Sequence, residues 1–128
     1  MEPLHEGMRA KATAIVSENN FAKTMGSGDL PVFATPAMLA LMEQAAAQSV
    51  LPALSDEETT VGVHADIQHT AASAVGQHIT AESELIRIEG RKLFFTVRAC
   101  DTVGEIGNGT HERVIVKRER FMEKTQAR

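Results

Sequence analysis

Three polar residues occupy places where apolar ones would be cheaper: Thr35, Glu43 and His69. Glu43 sits inside Phe33-Ala-Thr-Pro-Ala-Met-Leu-Ala-Leu-Met-Glu-Gln-Ala-Ala-Ala-Gln-Ser-Val50, a stretch with no other charged residue. In a helix its neighbours three and four positions away are Leu39, Ala40, Ala46 and Ala47, so the acid is expected to point into the protein. A buried lone carboxylate is costly unless it is paired, hydrogen-bonded or protonated, which marks it as a functional candidate. A carboxylate with an imidazole makes a general acid–base set, and burial raises a carboxyl group toward a useful range. Free N–H groups at a helix start can stabilise a developing oxyanion. Gly62 shares a strand with His69 and, lacking a side chain, allows a ligand to approach the backbone. Two of these residues also have bland readings that stay open: Thr35 as a helix cap and His69 as a hydrogen-bonded core histidine. Glu43 has no comparably bland reading, because Glu is rarely buried unpaired.

The elements that must position these residues follow from periodicity. Thr35-Pro36 signals a helix start and Pro52 a stop, predicting one helix from Pro36 to about Leu51. On a regular helix Thr35 and Glu43 stand about 12 Å apart along the axis, so they flank a substrate. Upstream, Arg9 to Ser17 reads as a strand, and Glu18 to Pro31 as a long connection that is either a flap over a pocket or a surface loop. Downstream, Ser55 to Glu58 is a polar turn, and from Thr60 the period becomes two. Val61, Val63, Ala65 and Ile67 then fall on one face, with Gly62, His64, Asp66 and Gln68 on the other. His69 lies on the apolar face, opposite His64, so the two form no metal chelate. Thr70 to Gln77 reads as a bend, and His78 to Glu89 as a strand whose phase slips between Leu85 and Ile86, as at a bulge. After Glu89-Gly90 comes a strand with Leu93, Phe95, Val97 and Ala99 on one face. A turn at Asp101 to Gly104 leads to a last strand from about Gly109 to Arg120. The sum is an α+β chain: an antiparallel sheet of about five strands around one central helix. That helix is apolar nearly all round, so a second copy is expected to complete its cover.

At 128 residues the chain fits one domain, with 43% hydrophobic and 23% charged residues. A net charge of -4 argues against nucleic-acid binding by bulk electrostatics. Basic residues do collect at Lys117, Arg118, Arg120, Lys124 and Arg128; interleaved with Glu119 and Glu123, they read as a solvated face or as a dock for an anionic ligand tail. The single cysteine, Cys100, excludes an internal disulfide and, with no secretory signal in Met1 to Gly7 and no membrane-length apolar run, points to the cytoplasm.

The block Pro31-Val-Phe-Ala-Thr-Pro-Ala-Met-Leu-Ala-Leu-Met-Glu43, with His69-Thr-Ala-Ala, Glu89-Gly-Arg91 and Glu105-Ile-Gly-Asn-Gly-Thr-His-Glu-Arg113, resembles the fluoroacetyl-CoA thioesterase family of the hot-dog superfold. The resemblance spans about Pro31 to Phe121. It implies a homodimer, possibly a higher oligomer, whose active sites lie at the subunit interface and hydrolyse acyl-CoA thioesters. The matching catalytic residues are Thr35, Glu43 and His69, with Gly62 and Phe33 as substrate-binding positions, no metal, and coenzyme A present only as part of the substrate. Glu43 either attacks the thioester carbonyl or activates water, His69 assists proton transfer, and Thr35 orients the acyl group or the acid. The family's fluoroacetate-specific member closes its pocket with a phenylalanine where this chain has Asp29, so a small acyl-CoA is expected and fluoroacetyl-CoA is not expected to be preferred. Two alternatives accompany this reading. One is a non-catalytic acyl-CoA-binding dimer; the other, a hot-dog enoyl-CoA hydratase, is disfavoured by the lack of that group's Asp and His arrangement.

Overall fold

Five strands, β1 (Arg9–Ile15), β2 (Glu58–His69), β3 (His78–Glu89), β4 (Lys92–Cys100) and β5 (Glu105–Lys117), form one antiparallel sheet in the order β1-β3-β4-β5-β2. The computed structural model describes residues 1–128, and in it the sheet curls around one long helix. This is the hot-dog arrangement that the sequence led us to expect. The helices are α1 (Ala22–Met25), α2 (Thr35–Val50) and α3 (Arg118–Gln126). Helix α2 buries Met38, Leu41, Met42, Ala45, Ala46 and Val50 against the sheet. The sheet answers with alternate residues, Ile79, Ala81 and Leu85 from β3 and Leu93, Phe95, Val97 and Ala99 from β4. Each large apolar side chain so buried contributes about 1.5–3 kcal/mol. Gly107 lets the helix lie this close, since a methyl group there would stand 2.5 Å from the Met38 sulfur.

Several boundaries differ from the sequence reading. Strand β1 stops at Ile15, and α2 begins at Thr35 with Ala34 at the cap position, where no side chain caps it. Thr35 is therefore not the cap, and its hydroxyl is free for another partner. The α-helix stops at Val50, as the Pro52 signal leads one to expect, and the chain continues as a tight 3-10 turn over Leu51–Ala53. Strand β5 starts at Glu105 and stops at Lys117, and the residues expected to extend it form α3. The Glu18 to Pro31 connection is folded: a 3-10 turn at Glu18–Asn20 and the short α1 are tied back by Ala22 N–H to Val32 O at 2.8 Å and Ala34 N–H to Asn20 O at 2.9 Å.

The sheet register shifts at three places: between Ala99 and Cys100 of β4 where it pairs β5, and at two further bulges that decide which residues face the helix. The one at Ile86 in β3 matches the phase slip in the sequence. The second, between Gly62 and His64 in β2, was not expected. It makes Val63 the extra residue, so the single apolar face expected for Val61, Val63, Ala65 and Ile67 does not exist. Val63 is 52% exposed, whereas Thr60 is buried. The parity change has a benefit: Gly62, before the bulge, and His69, after it, both end up beside α2. Along its other side β2 is a free sheet edge, and next to it α2 leaves Pro36, Ala40, Gln44 and Gln48 exposed.

Candidate active site

The site has two parts, one at each end of β2. At the first, Glu43 projects from the middle of α2 toward Gly62, and a methyl group on Gly62 would lie 2.5 Å from Glu43 Oε2. Gly62 thus makes room for a carboxylate, a more specific role than admitting a ligand to the backbone. The acid is not the lone buried group expected, since its side chain is 40% exposed and Arg113 Nη1 donates to Oε2 at 3.3 Å. Arg113 is buried and fixed on its other side by bonds from Nε to Thr60 Oγ1 at 2.8 Å and from Nη2 to the Thr60 carbonyl at 3.1 Å. That pairing resolves the electrostatic difficulty of placing an acid on an apolar helix.

His111 completes this end. The His64 carbonyl can only accept, so His111 Nδ1, 2.7 Å away, carries the proton in the neutral ring. Its Nε2 then offers a lone pair, which faces Arg113 Nη1 at 3.2 Å and lies 3.7 Å from Glu43 Oε2. Burial pushes the His111 pKa down, opposed by the hydrogen bond to His64, and the neighbouring guanidinium lowers it further. The ring is therefore a neutral acceptor that orients the arginine, which in turn orients Glu43 Oε2. Glu43 Oε1 makes no hydrogen bond within the protein.

At the other end Thr35 Oγ1 and His69 Nδ1 stand 2.8 Å apart. Burial pushes the His69 pKa down, against a backbone hydrogen bond toward Ala71, so the neutral ring is favoured. His69 Nε2 is buried without a partner. The pair opens into a cavity of about 290 Å³ whose walls include Ala22 and Ser27 from the folded connection, Val32, Phe33 and Ala71. Phe33 is only 2% exposed and belongs to the core as well as to the cavity floor. Asp29 is exposed and does not line the cavity.

The structure brings Thr35 to His69 and Glu43 to Gly62, and it keeps the two pairs apart. Thr35 and Glu43 are about 12 Å apart along α2, and Gly62 and His69 are about 20 Å apart along β2. Arg113, His111 and Thr60 were missed as site residues. The signal for the first two was present, in that the Thr110-His-Glu-Arg113 run places a histidine and an arginine at the two-residue offset that shares one strand face.

The profile of the fluoroacetyl-CoA-specific thioesterase family matches residues 16–119. The chain belongs to this family. Membership makes it a thioester hydrolase of the hot-dog fold. It is 42% identical over 95 residues to a fluoroacetyl-CoA thioesterase of Streptantibioticus cattleyicolor, an overlap covering 74% of this chain and 68% of that protein. A crystal structure of a variant of a fluoroacetyl-CoA-specific thioesterase superposes with a TM-score of 0.92 at 32% identity, over 99% of this chain and 98% of that one. One in complex with fluoroacetate and CoA gives 0.86 at 34% identity, over 92% and 99% of the respective chains. In the present chain the Thr35–His69 pair and the Glu43–Arg113–His111 cluster lie at the two ends of a bulged edge strand.

Proposed function

We propose that this thioesterase hydrolyses a small acyl-CoA, releasing the free acid and CoA thiol, at sites completed across a homodimer. The observation that carries this reading is the Glu43 carboxylate, held through one oxygen by Arg113 against a glycine, with its other oxygen free. In this reading Glu43 Oε1 either attacks the thioester carbonyl or removes a proton from the attacking water. The tetrahedral intermediate expels the CoA sulfur, which leaves with a proton, and water supplies the hydroxyl of the acid. His69 assists the proton transfer and Thr35 orients the imidazole and the acyl group. No resident cofactor takes part, and the setting is cytoplasmic, in keeping with the lone free thiol of Cys100.

The division of the site supports the dimer. Strand β2 has a free edge, and two copies pairing antiparallel about a two-fold axis near Ala65 and Asp66 bring Gly62 of one copy opposite His69 of its partner. Each site then combines Glu43, Gly62, His111 and Arg113 of one subunit with Thr35 and His69 of the partner subunit. The same pairing covers Val63 and the open strip of α2. The exposed, non-lining position of Asp29 supports an acyl pocket without a fluorine-selective lid.

Two experiments test this. In a thiol-release assay over acyl-CoA esters, acetyl- or propionyl-CoA is expected to be turned over at least as well as fluoroacetyl-CoA; a large preference for the fluorinated ester refutes the substrate reading. Mixing inactive Glu43→Gln with inactive His69→Ala subunits is expected to restore roughly a quarter of parental activity, because random exchange makes half the dimers mixed and each has one intact site. If no activity returns although mixed dimers form, each site is built within one chain.

A further inference from the structure

The cavity beside Thr35 and His69 is built from two stretches of chain that meet at a residue outside the hydrolytic set, Ser73. One wall is Thr70 to Ala72, which follows His69 directly; the other holds Phe33, two residues before Thr35. The first wall is anchored at its start, where the Thr70 and Ala71 N–H groups donate to the Ile106 carbonyl at 2.7 and 3.3 Å. At its far end the Ser73 carbonyl accepts from Phe33 N–H at 3.0 Å. The backbone of Ser73 therefore ties one wall to the other.

The side chain of Ser73 is only 1% exposed, and a buried hydroxyl is costly without a partner. Its partner comes from the β4–β5 turn, 28 positions on: Ser73 Oγ donates to Asp101 Oδ2 at 2.8 Å. Asp101 is itself fixed, because its Oδ1 accepts from Val103 N–H at 2.8 Å and from Gly104 N–H at 3.1 Å. Closing a turn in this way needs only one side-chain oxygen. The second oxygen is left for Ser73. These donors, Ser73 foremost, hold the Asp101 carboxyl below its usual range, so at neutral pH it is purely an acceptor. A parallel strut runs from Thr102 Oγ1 to Gln77 Oε1 at 2.6 Å and ties the same turn to the end of the bend that Ser73 occupies.

We propose that Asp101, acting through Ser73, is a positioning residue for the hydrolysis, fixing the width of the acyl cavity and the alignment of His69 with Thr35. His69 lies four residues before Ser73, and Thr35 lies two residues beyond the Phe33 that Ser73 holds, so their 2.8 Å contact is constrained from both sides. Asp101 touches none of the reacting groups. This inference rests on the acyl-CoA reading above.

The test compares the parent with Ser73→Ala, which leaves the Asp101 turn bonds in place, and with Asp101→Asn, whose amide can still close the turn and meet the Ser73 hydroxyl. In Ser73→Ala, kcat for acetyl-CoA is expected to fall about tenfold with KM within about twofold, and the ratio of acetyl- to butyryl-CoA turnover to fall about fivefold. Asp101→Asn is expected to keep most of the activity. Asp101→Ala is expected to lose at least as much as Ser73→Ala, and the double Ala variant no more than Asp101→Ala, because the two residues act as one unit. Hydrogen exchange supplies a readout independent of turnover: the Phe33 amide is expected to exchange about tenfold faster in Ser73→Ala, with the Phe95 amide of β4 unchanged. Parental kcat and chain-length ratio in Ser73→Ala, parental Phe33 protection, or additive losses in the double variant overturn the proposal. If Ser73→Ala does not fold, Asp101→Ala decides it by the same measurements. A parent that hydrolyses no thioester refutes the acyl-CoA reading itself, while the Phe33 exchange still decides whether Ser73 clamps the cavity.

Discussion

The two ends of β2 solve different problems. At the Gly62 end a charge sits on an otherwise apolar helix, and every neighbour serves to hold it: Arg113 as counter-ion, His111 and Thr60 as anchors of that arginine, and a glycine to make room. At the His69 end the groups are a hydroxyl and an imidazole favoured neutral by burial, beside a cavity, with one ring nitrogen unpartnered. The first end is held by charged contacts on every side; the second opens into a cavity. A hydrolase needs both a fixed base or nucleophile and a receptive pocket, and the proposed mechanism assigns them to opposite ends of one strand.

The largest effect expected from breaking this contrast is at the charged end. Glu43→Gln retains shape and hydrogen-bonding capacity but loses the charge, so kcat is expected to fall at least a hundredfold with the circular dichroism spectrum and hydrodynamic size unchanged, while Thr35→Val at the neutral end is expected to lose about tenfold. Turnover within a few-fold of the parent for Glu43→Gln makes that acid structural. A smaller, steric effect is expected at Gly62→Ala, whose methyl group meets Glu43 Oε2 and sits 3.2 Å from both Arg113 Nη1 and His111 Cε1. Overpacking there is expected to cost about 1–3 kcal/mol in urea unfolding and to lower activity by displacing the carboxylate. A fully active, equally stable Gly62→Ala protein contradicts the packed geometry.

The smallest effect distinguishes neither end but tests the neutral imidazoles at both. Burial lowers the pKa values of His69 and His111 from 6.5, so the unfolded chain binds protons there before the folded one does. Stability attributable to these rings is therefore full above pH 6.5 and declines as pH falls below it toward their folded values. The lowered carboxyl groups of Glu58, Asp101 and Glu112 act in the same direction, but only at more acid pH, from about 4.5 downward. Urea midpoints are expected to be lower at pH 5.5 than at pH 7.5, and no difference would mean that neither ring is held neutral by the fold.

Much of this was legible in the chain. An uninterrupted apolar helix followed by period-two segments specified a sheet wrapped on a helix, and the slip at Leu85-Ile86 announced the β3 bulge. The β2 bulge was not legible, because Val61, Val63, Ala65 and Ile67 alternate cleanly as letters, and only pairing against β5 makes Val63 the extra residue. Helix α3 was hidden for a related reason: its charged residues have no buried face to impose a period.

By itself the sequence determined the kinds of groups present and the local elements that carry them, since periodicity and helix-start chemistry act over a few residues. It marked Glu43 as an acid needing a reason, and Thr35, His69 and Gly62 as its candidate companions. Tertiary structure decided which companions touch. Strand pairing set Arg113 opposite Gly62, helix docking set Thr35 on His69, and the bulge turned both ends of β2 toward α2. Those contacts join residues up to 70 positions apart, and their geometry depends on register and curvature, which no short stretch of sequence encodes.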